Sequence, residues 1–159
     1  MKAGYLIRLG LAALWLSFAI GCQGSGEVSG ERDFLRKPVD ERRTALMDYP
    51  MERQVDLYLA AMTRLHPPDL ALADVLASHG DEIIPLLRER IHEESGAGLK
   101  KLHLIDVFVR MQERAYFDVS SDSEVMSFLR EQAESIPDDQ WRSMSLEALN
   151  RIMRLGTVD

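Results

Sequence analysis

The sequence contains a single cysteine, Cys22, so no disulfide bond can form within the chain. Aromatic residues make up only 7% of the 159 residues, and the longest uncharged apolar run is the twelve-residue segment Leu9–Ile20. A helix that crosses a bilayer needs about 20 apolar residues, so this run does not predict a transmembrane helix. The chain is nevertheless long enough to bury a core and fold as one domain without cross-links or metal ions.

Basic residues are also scarce, with 19 lysines and arginines against 26 acidic residues and a formal net charge of −7. Nucleic acid requires a basic surface, and anionic lipid headgroups repel an acidic one, so the charge excludes both as electrostatic partners. The acidic excess is strongest after residue 118. It predicts either solvated helix faces or an acidic surface that steers a cationic partner.

The N-terminal segment has the composition of a secretory signal peptide. Lys2 and Arg8 provide a positive start, the apolar run follows, and the small residue Gly21 comes directly before Cys22. The sequence therefore predicts a signal peptide over residues 1–21.

The four residues Ala19-Ile20-Gly21-Cys22 resemble the lipobox of bacterial lipoproteins. This resemblance implies cleavage before Cys22, lipidation of that cysteine, and membrane attachment through two or more acyl chains. In Gram-negative lipoproteins an aspartate after the cysteine favours retention in the inner membrane. Gln23 at that position implies the outer membrane, facing the periplasm, if the source is Gram-negative.

Three glycines and two serines lie between residues 23 and 30, a composition that favours a flexible coil. We therefore expect a lipid-anchored linker over residues 22–32 and a folded domain over residues 33–159.

From residue 33 onward apolar residues recur at helical spacing, and no segment indicates a strand. The pattern predicts an all-α domain whose short connections make neighbouring helices antiparallel. Helices are expected over 40–47, 51–66, 70–79, 82–94, 99–114, 122–136 and 139–155, the last six pairing successively as hairpins.

Polar residues at the predicted helix starts indicate N-caps. Asp69, Asp81 and Asp138 are expected to cap the helices that follow them. Ser121 and Glu124 have the spacing of a capping box.

The middle hairpin resembles one HEAT-type repeat. The resemblance is carried by Ile83-Ile84-Pro85-Leu86-Leu87, a tight turn, and Leu99-Lys100-Lys101 at the start of an apolar second helix. It implies a short HEAT-like α-solenoid, and the irregular spacing of the hairpins leaves a compact helical bundle as the alternative.

The apolar residues of the middle hairpin predict its core. The second helix is expected to bury Leu102, Ile105, Phe108 and Val109 against three residues of the first helix, namely Ile84, Leu87 and Ile91.

The last predicted helix carries two apolar stripes. The first is expected to face the preceding helix and consists of Trp141, Met144, Ala148, Ile152 and Leu155. The second consists of Leu146, Leu149 and Met153. Either this helix is buried on two sides, or the second stripe is exposed and meets a partner or a second copy of the chain.

The sequence offers no convincing catalytic or metal-binding pattern. His92-Glu93 begins an HExxH motif, but residue 96 is a glycine, so the second zinc ligand is missing. The other histidines (His66, His79 and His103) are expected to be solvent-facing or to lie at helix ends. The adjacent carboxylates Glu93-Glu94 and Asp138-Asp139 do not face each other across a cleft, as acid–base catalysis requires. We expect neither enzymatic activity nor a cofactor or metal ion.

These features predict a cell-envelope lipoprotein whose helical domain is a protein-interaction module, with an envelope protein or a second copy as its partner. The alternative is a structural or inhibitory lipoprotein that uses an acidic face against a cationic enzyme.

Overall fold

The computed structural model describes residues 24–157, and the side chains of residues 30–157. Within that range the chain forms eight α-helices and two short 3₁₀ turns, and no β-strand. The all-α prediction is therefore confirmed. The helices are α1 (Gly24–Arg36), α2 (Val39–Met47), α3 (Met51–Arg64), α4 (Leu72–Ala77), α5 (Ile84–Glu93), α6 (Leu99–Glu113), α7 (Ser123–Glu134) and α8 (Asp139–Gly156).

The helices pack as a compact stack of pairs. Within the predicted hairpins, α3 contacts α4, α5 contacts α6, and α7 contacts α8. The even-numbered helices also contact one another in the order α2, α4, α6, α8, while α1 contacts α3 and α5 contacts α7. The most extensive contact joins α6 to α8, followed by that between α4 and α6. Helix α6 therefore lies at the centre of the domain.

The core is built around α6, as its apolar pattern predicts. Ile105, Phe108 and Val109 are buried, which confirms three of the four predicted core residues of this helix. Leu102 is only half-buried, so its assignment to the core is wrong. The hydroxyl of the buried Tyr58 in α3 donates a hydrogen bond to the carbonyl oxygen of His103 at 2.9 Å. Burial raises the pKa of Tyr58 well above its usual value, so the phenol keeps the proton that this bond needs.

Two of the helix starts near the C-terminus are capped by aspartate. The carboxylate of Asp138 accepts hydrogen bonds from the amides of Gln140 and Trp141 at 3.0 and 3.1 Å, as predicted. Helix α7 is capped by Asp122, which accepts two amide hydrogen bonds at 3.0 Å. The predicted capping box that begins at Ser121 is therefore wrong by one residue. Ser121 instead ends a 3₁₀ turn, Val119–Ser121, whose N-cap is another aspartate.

The predicted caps at Asp69 and Asp81 are also wrong. Asp69 is buried, and its carboxylate pairs with Arg42 of α2 at 3.3 Å instead of capping α4. Asp81 lies inside the 3₁₀ turn Gly80–Ile83, and α5 begins after Ile83 without a side-chain cap. Asp69 has a tertiary partner and Asp81 lies in an additional 3₁₀ turn. The local sequence pattern indicates neither of these.

The connection between α5 and α6 lies against the side chain of Ile136. Gly98 ends this connection with a φ of +112°, and a Cβ at that position would collide with the Ile136 side chain. Glycine meets both requirements, because it has no Cβ and adopts positive φ at little cost.

The first helix begins inside the segment whose composition predicts a linker over residues 22–32. Helix α1 starts at Gly24, and Phe34 near its end is fully buried, with its ring packed edge-on to that of Tyr49. Packing of α1 against α2 and α3 supplies the stability that the glycine-rich sequence lacks by itself. Residues 1–21 and Cys22 lie outside the described residues. None of the described helices is long and apolar enough to cross a membrane.

Candidate functional site

The second apolar stripe predicted on α8 does not form one exposed surface. Leu149 is 1% exposed and belongs to the core, and Leu146 is half-buried against it. Only Met153, at 42% exposure, faces solvent. The proposed interface of Leu146, Leu149 and Met153 is therefore not assembled, because α8 turns this stripe toward the core.

The first stripe is more exposed than predicted. Met144 is 46% exposed and Leu155 is 39% exposed, while Ala148 is half-buried. Ile152 of this stripe is buried as predicted, and the other buried residues of α8 are Ser145 and Leu149. Met144, Ala148 and Leu155 of this stripe line a groove between α8 and α6.

A groove of about 630 Å³ runs between α6 and α8. We call it the α6–α8 groove. Three lining residues come from α6 and six from α8: Leu102, Asp106, Val109, Met144, Glu147, Ala148, Arg151, Arg154 and Leu155.

Apolar side chains form the floor and the two ends of this groove. Leu102 and Val109 lie two helical turns apart on α6, and the small side chain of Ala148 faces them from α8. Met144 and Leu155 lie eleven residues apart, about 16 Å along the helix at 1.5 Å per residue. This length corresponds to three turns of an incoming helix.

Paired charges border the apolar floor. Arg154 donates a hydrogen bond to Glu147 at 2.7 Å on the rim. Arg151 pairs with Glu113, and Glu113 pairs with Arg110 at 3.1 Å. The lining itself holds two carboxylates and two guanidinium groups, so its formal charges balance.

Asp106 is the carboxylate that α6 contributes to the groove. Its side chain is 28% exposed, and its Oδ2 lies 3.7 Å from Nε of Arg110. Burial is the main reason that its pKa is raised, and the nearby Arg110 opposes that rise.

The four histidines lie in different parts of the fold and have different neighbours. His66 and His92 are exposed. His79 lies just after the end of α4, as expected, and a nitrogen of its ring is 2.8 Å from the side-chain oxygen of Gln54. His103 is half-buried, and burial lowers its pKa, so its predicted solvent-facing position is wrong.

The adjacent carboxylates also take part in structural contacts. Glu93 pairs with Arg90, and Glu94 pairs with Lys100 at 3.0 Å. Among the described residues, no group of three or more histidine, cysteine or acidic side chains is arranged to hold a metal ion.

Sequence reasoning missed the α6 side of the groove. Leu102 looked like a core residue because it continues the apolar pattern of α6. Asp106 lies on the side of α6 away from the apolar pattern, so no apolar signal marks it as part of a groove. A detectable signal was present in α8, where Met144, Ala148, Arg151 and Leu155 follow one face at alternating spacings of four and three.

Comparisons with protein-family models, with curated proteins and with solved structures find no match to this chain.

Proposed function

We propose that this protein is a membrane-anchored cell-envelope lipoprotein whose helical domain binds a protein partner in the α6–α8 groove. The observation that carries the binding role is the open, apolar floor between exposed Met144 and Leu155. Exposed apolar surface with a polar rim is typical of protein-interaction sites. A groove between two helices suits an amphipathic helix, which inserts apolar residues spaced by three or four positions.

The anchoring role is supported by the leader and by the lipobox-like residues before Cys22. Attachment at residue 22 would leave only a short connection between the lipid and α1, which begins at Gly24. The stacked helix pairs would then lie close to the membrane surface. The HEAT-like relationship stays a proposal that rests on the middle hairpin and on the order of helix contacts.

The balanced charges of the groove favour apolar recognition over the inhibitory alternative. A site that captures a cationic enzyme through an acidic face needs unpaired carboxylates, whereas Glu147 is paired with Arg154 on this rim. Binding in the groove is therefore expected to depend weakly on salt. An affinity that falls steeply between low and moderate salt would support the inhibitory alternative instead.

Replacing Cys22 by alanine is expected to release the protein from the membrane, because the residue that accepts the lipid is removed. The wild-type chain should incorporate a labelled fatty acid and sediment with membranes. The Cys22→Ala chain should do neither. A variant that stays membrane-bound would contradict lipid anchoring, and Ser25→Ala provides a control within the same segment.

A photoreactive amino acid at position 144 is expected to cross-link a partner in the cells that produce this protein. The same amino acid at Met47, which is 58% exposed on α2, is the matched control and should give no such product. Adding Leu155→Lys should abolish the product while changing the free energy of unfolding by only about 0.5 kcal/mol, because Leu155 is exposed. Equal products from positions 144 and 47 would contradict a specific role for the groove.

A further inference from the structure

We propose that the occupant of the α6–α8 groove is a second copy of this chain, whose α8 packs antiparallel against the first α8 about a two-fold axis. This inference rests on the proposed binding role of the groove and identifies its partner. It follows from the spacing of the groove residues, from the placement of two opposite charges, and from the balance of charge in the lining.

The exposed side of α8 has the spacing of a helix-packing seam. Intervals of four, three and four residues separate its members, which is the alternation that keeps one side of a helix against a partner helix. The seam consists of Met144, Ala148, Arg151 and Leu155, all of which line the groove.

An antiparallel two-fold arrangement matches this seam to itself. When Met144 lies opposite Leu155 of the second copy, Leu155 lies opposite the second Met144, so the exposed apolar ends cover each other. The same register places the small Ala148 opposite the long Arg151 in both directions. Matching large against small side chains allows the two helices to approach closely.

Two opposite charges flank the seam on one side. Glu147 directly precedes Ala148, and Arg154 directly precedes Leu155, so the two occupy equivalent positions one heptad apart. In the antiparallel register each Glu147 lies beside Arg154 of the other copy. Both side chains are more than 60% exposed, and within one chain they bond to each other at 2.7 Å. Exposed ion pairs contribute little to stability, so the two groups can exchange this contact for one between copies.

The charge balance of the groove selects this occupant over a strongly charged helix. A wholly basic segment would meet Arg151 and Arg154, and a wholly acidic one would meet Asp106 and Glu147. A matching helix needs both signs beside an apolar seam, and α8 itself has them. The acidic net charge of each copy, −7 for the full sequence, opposes association at long range, but salt at about 0.15 M screens it beyond roughly 8 Å.

Charge reversal tests this arrangement. The full chain in non-ionic detergent micelles is expected to sediment as a concentration-dependent dimer. Glu147→Arg and Arg154→Glu each place two like-charged pairs across the interface, so each should weaken self-association about tenfold or more. An equimolar mixture of the two variants should recover the dimer, because one copy then offers two arginines and the other two glutamates.

The mixture separates the interface from a role within one chain. Both variants lose the internal Glu147–Arg154 pair, and mixing cannot restore it. A matched control is the exposed pair between Arg88 of α5 and Glu124 of α7, where Glu124→Arg should leave association unchanged. Circular dichroism melts of every variant establish that the helices are intact.

A wild-type chain that stays monomeric at every concentration would overturn the inference, as would a mixture that fails to associate. The mass of the cross-linked product from position 144 shows whether only the second-copy inference fails or whether the proposed binding role of the groove fails as well. A product of twice the chain mass supports the second copy. A product with a different protein overturns the second copy and leaves the groove as a binding site, while absence of any groove-dependent product overturns both.

Discussion

Replacing Phe108 by alanine is expected to lower the free energy of unfolding by about 3–5 kcal/mol. Phe108 has no exposed surface and lies on α6, which contacts α3, α4, α5, α7 and α8. Truncation removes the buried ring and leaves a cavity, which a helix held on several sides cannot close by moving. Each kcal/mol lowers the melting temperature of a domain of this size by about 2–4 °C, so a large decrease should appear in a thermal melt.

Tyr116→Ala provides the matched control for this experiment. Tyr116 is also aromatic and follows α6, but it is 46% exposed. Its truncation should therefore change stability much less than that of Phe108. Equal melting temperatures for Phe108→Ala and the wild type would contradict the central position of α6.

Replacing Asp69 by alanine is expected to cost about 3 kcal/mol, because it leaves the largely buried Arg42 side chain without its carboxylate partner. The Arg42 and Asp69 side chains are 11% and 4% exposed, and their closest polar atoms are 3.3 Å apart. The guanidinium group retains a long contact of 3.5 Å to the carbonyl oxygen of Leu35, which does not neutralise its charge. The loss is measured by denaturant unfolding of the variant and the wild type.

A second substitution tests whether the unpaired charge causes that loss. Adding Arg42→Met to Asp69→Ala removes the largely buried cation, so the double variant should be more stable than Asp69→Ala alone. The exposed control is Glu124→Ala, which breaks the pair with Arg88 and should cost about 1 kcal/mol or less. If Asp69→Ala is as mild as Glu124→Ala, the burial of this ion pair is contradicted.

The sequence predicted the extents of α6 and α8 well because the signals that set them are local. Helix α6 was expected over 99–114 and occupies Leu99–Glu113, and α8 was expected over 139–155 and occupies Asp139–Gly156. Apolar periodicity, a capping aspartate and a terminating proline or glycine act within a few residues of each helix end. The Asp138 cap was predictable for this reason.

The candidate site was harder to predict, because it depends on how α8 is rotated. On sequence alone Ser145 looks polar and Met144 looks buried, yet Ser145 is fully buried and Met144 is 46% exposed. A small side chain at position 145 lies in the tight contact of α8 with the core, where a longer side chain would hold the helices apart. No local pattern indicates that a serine is buried on the packed face.

The sequence by itself determined an all-helical domain, most of its helix boundaries and three of the four predicted core residues of α6. Those properties follow from the periodicity and chemistry of neighbouring residues. Only the tertiary structure decided that Asp69 pairs with Arg42, that Leu149 is buried, and that a groove opens between α6 and α8. Each of these depends on which helices pack together and at what rotation. Contacts between distant segments set that rotation, because the side chains of every helix must pack closely against several neighbouring helices at once.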